Sequence, residues 1–483
     1  MLKRLLQEPV TDKAFPFASA VGKYGFEEAG YLEEEFFMYG TANIYNENGA
    51  DSFDVLHREI PYCNRFLLRR PEEKTKFSGN IIVEILNPTA RIDLDRMWAI
   101  SGKHFMRQGD IYIGITSKPD TFDALLEFDR KRYDKLCWSY PGERKTSAVS
   151  ADPILPAPNP QMETGLFWDM LTDLALLLRS DDAMNPVRAY GQAKVLLTGW
   201  SQSACYLWTY VKYLAFHPDY NRGQCLFDGY LAAGGVHSFA VPLNQEGYGR
   251  TSKPSDTMLR FMPVPYIAVQ TESENARMGG FEARQEDSDS EAFHYRIYEI
   301  AGATHDNRQT LFDYYQNDRA FARRKVKMVQ LDADELPLDY PYQYPFNAMY
   351  AHLCRWVRDG ALPPHGKRIA VDETTLENKT DEHGNAVGGV RSPFIDVPTC
   401  TYKPQNSFRC GDYKLMGEIR PFTPEKLTKL YGGIQNYRTL VERSADRLVE
   451  EGFLLREDRL EIIEEAVKLA AERWRLQEPA GGL

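Results

Sequence analysis

Three short stretches carry residue types that could do nucleophilic chemistry. Gly199-Trp-Ser-Gln-Ser203 follows an apolar run, Val195 to Thr198, and precedes an apolar-periodic stretch, Ser203 to Leu214. The run reads as a buried strand and the stretch as a helix. A serine between them, with a small residue two places before and two after, is forced onto a sharp strand-to-helix turn that exposes its hydroxyl. A serine hydroxyl is inert until a base takes its proton, and the base needs an orienting acid. Seven histidines follow Ser201: His217, His237, His294, His305, His352, His365 and His383. Only His305 lies directly beyond a strong strand, in the small-residue loop Ala301-Gly-Ala-Thr-His305 that can bring an imidazole over a serine. The acid falls in Thr271-Glu272-Ser273-Glu274, just past the strand Val264–Gln270. Glu274 is favoured over Glu272, because an orienting carboxylate sits a few residues beyond the strand end.

A tetrahedral oxyanion needs two preorganised N–H donors. The backbone of Gln202, at the start of the helix, should supply one. The other should come from the loop after the strand at Gly79–Leu86. Pro88 has no N–H, so Thr89 or Asn87 must serve. Two irregular segments are candidates for the rim of a substrate pocket: Trp138 to Pro160, and the aromatic run Tyr340 to Phe346. In that run Pro341 and Pro345 argue against regular structure. Asn87, Trp200, Tyr342 and Tyr344 are therefore the expected substrate contacts.

These groups need a scaffold that brings distant strand ends together. Gly79–Thr89, Asp95–Gln108 and Asp110–Thr116 read as strand, helix and strand, a βαβ unit and hence parallel pairing. Leu125–Leu136 and Glu163–Leu178 read as helices. Gly229–Ala233, Val264–Gln270 and His294–Ile300 read as further strands. Ahead of them, Tyr31–Tyr45 and Arg58–Arg70 look extended, a β-rich lead-in. Residues 330 to about 420 carry few periodic signals, whereas Thr423 to Trp474 is helical with charged faces.

Composition narrows the function. The 483 residues are 43% hydrophobic and 26% charged, ordinary for a globular protein with a large core. The net charge of −11 argues against a nucleic-acid surface, which needs an excess of Lys and Arg. No apolar run approaches a membrane span, and no signal peptide is evident at the start, so a cytoplasmic location is expected. Seven scattered cysteines without a C-x-x-C pair, and no H-E-x-x-H, give no reason to expect a disulfide framework, a metal or a cofactor. Gly384-Asn-Ala-Val-Gly-Gly389 is turn chemistry, with no G-K-[ST] after it. Nothing in the pattern speaks against a homo-oligomer.

Taken together, several segments resemble a bacterial "alpha/beta hydrolase domain" family of large serine hydrolases. They are Gly199-Trp-Ser-Gln-Ser-Ala204, Val269-Gln-Thr-Glu-Ser-Glu274, Ala283-Arg-Gln-Glu-Asp-Ser288, Glu299-Ile-Ala-Gly-Ala-Thr-His305, Gly384-Asn-Ala-Val-Gly-Gly-Val-Arg391 and Asp396-Val-Pro398. Asn80-Ile-Ile-Val-Glu-Ile-Leu-Asn87 and Gly452-Phe-Leu-Leu fit as well. That family carries a G-x-S-Q-S-A elbow, an E-x-D acid segment and an A-G-x-x-H loop; this chain has Glu274 where the family has Asp. The resemblance implies an α/β-hydrolase fold, a mostly parallel doubly wound sheet with insertions forming a cap and a helical C-terminal segment. Expected units are a β-rich lead-in (1–75), a hydrolase core (76–330) with a lid at about 118–160, and an irregular then helical segment (331–483). The expected activity is hydrolysis of a carboxylic ester of a small apolar or aryl substrate through a Ser-His-Glu triad. An amidase, lactonase or acyltransferase would share the triad, and a non-catalytic hydrolase-fold binding protein is the alternative from another class.

Overall fold

The computed structural model describes residues 1–10, 25–49, 52–142, 161–236, 241–247, 258–315, 331–332, 334–408 and 415–475. His237 and residues 143–160 of the expected lid therefore lie outside the described residues. One ten-stranded sheet, in the order β1-β2-β3-β5-β4-β6-β7-β8-β10-β9, organises the chain. Its strands are β1 (Leu2–Glu8), β2 (Tyr31–Glu47), β3 (Phe53–Pro71), β4 (Asn80–Ile85), β5 (Ile111–Ile115), β6 (Lys194–Trp200), β7 (Gly229–Ala233), β8 (Met262–Thr271), β9 (Ser288–Ser290) and β10 (Phe293–Ile300). The six strands from β5 to β10 in that order are parallel, and β3, β2 and β1 continue the same sheet from β5, each antiparallel to the one before. Strands β4, β5 and β7 are buried along their whole length, as strands covered on both faces must be. A second pair, β11 (Cys400–Lys403) and β12 (Glu418–Pro421), stands apart.

The register sets the geometry of the site. Ile115, Ile85, Gly199, Ala232, Ala268 and Ile297 lie abreast across the parallel strands. Ser201 is thus two residues past this line, and Gln270 and Glu299 are at the same level on β8 and β10. Their onward loops meet at the carboxyl end of the sheet, where ligands bind in open α/β folds.

One buried charged layer joins the lead-in strands to the core. Arg65 pairs with Glu35 (2.9 Å) and Asp93 (3.1 Å), and Arg69 with Glu33 (2.7 Å) and Asp95 (2.8 Å). Asp93 and Asp95 lead into helix Arg96–Gln108, so β3 fixes where that helix starts. From below, Glu84 of β4 accepts the Met97 and Trp98 N–H groups (2.9 and 3.1 Å) and the Tyr112 hydroxyl (2.7 Å). These are donors a helix start leaves unsatisfied.

Two expectations about helices change. Leu125–Leu136 is not one helix but two, Phe122–Phe128 and Arg130–Tyr133, because Asp129 breaks the first and caps the second through the Arg132 N–H. The aromatic run is the larger correction. Gln343–Asp359 forms a helix of 17 residues that packs on β7 and β8. Pro345 sits in its first turn, where a missing N–H costs nothing. Prolines read as breakers there mark a helix start. The expected C-terminal helical region resolves into Pro424–Tyr431, Ile434–Glu451 and Arg459–Arg475. Among the described residues no helix is long and apolar enough to cross a membrane.

Burial, with Asp95 adding to it, pushes the Glu84 carboxyl from 4.5 up to about 8 against its three hydrogen bonds. A raised acid contributes stability that is fully present below 4.5 and is lost as pH rises through about 8. The melting temperature of the wild type should therefore fall relative to Glu84→Gln between pH 5 and 8 in parallel calorimetric scans. A gap that widens in favour of the wild type over that range would show that the helix terminus holds Glu84 charged.

Candidate active site

Ser201 lies immediately past β6 with φ 59° and ψ −121°, a conformation that costs a non-glycine residue on the order of 1–3 kcal/mol. The surroundings enforce it. Its N–H donates to Ala233 O (2.8 Å), and its carbonyl accepts the Cys205 N–H of helix Gln202–Tyr210 (3.2 Å). Glycine is needed at 199 because a Cβ there would lie 2.7 Å from the Ser203 backbone. The helix follows as expected, except that α geometry ends at Tyr210 and a π turn, Val211–Ala215, continues it.

The acid segment binds the histidine loop through all three of its residues. Glu274 Oε1 lies 2.7 Å from His305 Nδ1, with the carboxylate fully buried. Its Oε2 accepts the Thr271 N–H (2.5 Å) and the Thr271 hydroxyl (2.7 Å), so Glu274 is also the third residue of a capping box on helix Glu272–Arg277. This gives a physical reason for glutamate: a side chain that must reach both back to the cap and across to the imidazole needs the extra methylene. Ser273 Oγ accepts the His305 N–H (2.7 Å). Glu272 donates its N–H to Ala303 O (3.0 Å), and its carboxyl accepts the Gly302 N–H (2.8 Å). Gly302 is at φ 77°, and a Cβ there would lie 2.2 Å from Ile395. Burial, opposed by the Gly302 hydrogen bond, pushes the Glu272 carboxyl up to about 7. Glu272 thus shapes the loop and does not touch the imidazole.

Trp200 is almost completely buried against the same loop. Its ring lies 5.3 Å from that of His305, stacks on Tyr342 at 6.1 Å and packs on Phe346 at 5.7 Å. Tyr342 is therefore packing behind Trp200, and its hydroxyl reaches Thr310 Oγ1 (3.2 Å). Tyr344 turns away to donate to Glu465 of the C-terminal helix (2.8 Å). Neither lines a rim, a correction that follows from Gln343–Asp359 being helical. Asn87 is also structural: its Nδ2 donates to Trp200 O (2.9 Å), its N–H to Leu94 O (2.9 Å), and its Oδ1 accepts the Thr89 N–H (3.0 Å). Both N–H groups expected to supply the second oxyanion donor, Asn87 and Thr89, are thus already engaged. In that turn the Ala90 N–H has no partner among the described residues.

The other histidines that follow Ser201 in the described residues are engaged elsewhere. His217 packs on Phe53 (4.6 Å), His294 on Trp356 (5.8 Å) and His383 on Phe422 (5.5 Å), while His352 hydrogen-bonds Gly452 O (2.6 Å) and His365 meets Asp287 (2.8 Å). No group of His, Cys, Asp and Glu that could hold a metal occurs among the described residues. Sequence reasoning missed Arg96, whose guanidinium Nη2 meets Asp306 Oδ1 (2.8 Å) and His305 O (3.3 Å). No local signal marks it, since its partners lie more than 200 residues away.

The sheet, the elbow and the acid and histidine loops beyond neighbouring strands are those of an α/β-hydrolase. The model of the "Alpha/beta hydrolase domain" family matches residues 6–464, and the chain belongs to that family. Among solved structures it is similar to the carboxylesterase Cest-2923 of Lactobacillus plantarum WCFS1, with 11% identity, 60% of this chain and 99% of that one covered, and TM-score 0.31. It is similar also to an alpha-beta serine hydrolase homologue from Coxiella burnetii (10% identity, 59% and 94% covered, TM-score 0.26). A third is the esterase Est22 (13% identity, 54% and 69% covered, TM-score 0.27). No curated protein sequence matches the chain.

Glu274→Gln should lower kcat on the order of 10⁴-fold, because an amide beside Nδ1 favours the wrong tautomer. Glu272→Gln should leave kcat within severalfold, since a neutral side chain still accepts the Gly302 N–H. Steady-state kinetics of the two variants decide it, and the reverse ranking would make Glu272 the orienting acid.

Proposed function

We propose that the chain is a serine hydrolase of carboxylic esters that works through an acyl-enzyme. The observation that carries the reading is the 2.7 Å contact between buried Glu274 and His305 Nδ1, on the segments that follow neighbouring strands β8 and β10, in a sheet whose β6 ends in a serine at positive φ. In this reading Glu274 accepts the Nδ1–H, which leaves Nε2 free of a proton to serve as base. Ser201 Oγ attacks the ester carbonyl as its proton passes to Nε2. The tetrahedral intermediate then collapses, and the imidazolium gives that proton to the leaving alcohol. Water attacks the acyl-enzyme by the same route, releasing the acid and restoring Ser201. The Gln202 N–H, at the start of the helix behind the serine, is one oxyanion donor, and Ala90, rather than Thr89 or Asn87, is the position for the second.

The substrate in this reading is a small ester with an apolar or aryl part. Ser201 is only 8% exposed, which favours a compact substrate over a long-chain lipid. Tyr342 and Tyr344 take no part in binding the substrate, since one packs behind Trp200 and the other hydrogen-bonds Glu465.

A fluorophosphonate probe should add once per chain on the Ser201 peptide, and Ser201→Ala should abolish both labelling and hydrolysis of short aryl and alkyl esters. Labelling that survives in Ser201→Ala would remove the serine from its role. Faster turnover of long-chain lipid esters than of short ones would leave the triad standing and overturn the substrate size.

A further inference from the structure

Arg96 opens the helix launched by Asp95, and three features place it between the elbow and the histidine loop. Its Nη2 pairs with Asp306 Oδ1 at 2.8 Å and lies 3.3 Å from His305 O and 3.4 Å from Thr310 Oγ1. Its Nη1 reaches Thr310 O at 3.4 Å. The guanidinium carbon stands 5.5 Å from the centre of the Trp200 ring, whose other neighbours include His305. A cation over the face of tryptophan is attracted by the ring quadrupole. One buried side chain thus holds the last residue before the nucleophile and the two residues 305 and 306 in a common frame.

We propose that Arg96 is a positioning residue for the general base: it holds His305 against Trp200 and, as an ion pair with Asp306, sets the electrostatic balance under which the imidazole takes up its proton. The inference rests on the reading of His305 as general base. Among the described residues, the charged and titratable groups around the His305 loop are Glu274 from the segment after β8, Arg96 from its helix, Asp306 on the loop itself, and Tyr342 from the start of helix Gln343–Asp359; Glu272 acts on the loop through Gly302. Tyr342 feels both members of the Arg96–Asp306 pair, but burial raises its hydroxyl far above the acid limb, so it stays neutral there and does not confound the comparison. Arginine suits the place because two of its nitrogens work at once, Nη2 on Asp306 and His305 O and Nη1 on Thr310 O, a span that the single nitrogen of lysine does not cover.

The sign of the effect follows from charge. Removing the cation leaves Asp306 as an uncompensated anion that favours the imidazolium; removing Asp306 leaves Arg96 as an uncompensated cation that opposes it. A residue that only stabilised the fold would not produce opposite shifts. Arg96→Gln should therefore raise the acid limb of the kcat/KM–pH profile by about 0.5 unit or more. It should lower kcat about 10- to 100-fold, with KM little changed, as a misplaced base does. Asp306→Asn should lower the acid limb, and the double variant should bring it back towards the wild-type position. Arg96→Lys, which keeps the charge and loses the fork, should lower kcat with the limb unmoved, and it replaces Arg96→Gln in the series should that variant not fold.

Limbs that stay put in both Arg96→Gln and Asp306→Asn, or that move in the same direction, overturn the proposal. With Arg96→Lys in the series, a moved limb or an unchanged kcat does the same. Ser201→Ala and Glu274→Gln are run beside them: activity that survives in those two removes the triad reading itself. Their inactivity with pH profiles indifferent to Arg96 and Asp306 removes only the role given to Arg96.

Discussion

A serine held at φ 59° is the constraint on which the rest of the site depends. Left to itself the backbone would relax to an ordinary helical or extended angle, gaining on the order of 1–3 kcal/mol. It does not, because β6 is pinned between β4 and β7 and the following helix begins at once. The turn between them has only the room that Gly199 leaves. A hydroxyl raised this way is fixed before any substrate arrives, which is the form of positional entropy loss that a catalyst benefits from having incurred in folding.

His305 is positioned by a different device. His305 sits on a loop with no regular structure, yet the loop is held by Glu272, Ser273 and Glu274 from one side and by Arg96 from the other. The three consecutive residues bind it at four points, and the helix they open is itself capped by the same Glu274 side chain. Orientation of the imidazole, closure of the loop and initiation of a helix therefore share one carboxylate. The cost of burying that charge is offset by three donors placed around it.

Behind both lies a layer of buried charge that a globular core normally avoids. Arg65 and Arg69 reach from β3 to the segment that starts helix Arg96–Gln108, while Glu84 holds the same helix start from β4. Replacing such pairs by apolar residues is often neutral or stabilising in other proteins, so stability alone is a weak reason for them. Here they fix the start of the helix that carries Arg96. The lead-in strands, which looked peripheral, are the far anchor of the histidine loop.

What the sequence determined by itself was local. The strand-to-helix elbow at Ser201, the run of β4, β6, β8 and β10, and the small-residue loop at His305 were legible, because each is a pattern of neighbours: burial period, a turn that needs small residues, a strand end. Spacing favoured Glu274 over Glu272, and Glu274 is the one whose carboxylate meets His305, but the separate work of Glu272 on Gly302 was invisible to it. Three things were decided by tertiary structure alone. Pro345 reads as a breaker from composition and is the first turn of a helix in the fold, because only the packing of Tyr342 and Phe346 on Trp200 decides that a helix begins there. Asn87 and Thr89 look available in a list of residues, whereas their N–H groups are consumed by a turn that closes on Leu94. Arg96 carries no local mark at all. Its partners are brought to it by the register of parallel strands, and the physical reason is general: periodicity and turn chemistry act over a few residues, while a buried ion pair is chosen by whatever the sheet places opposite.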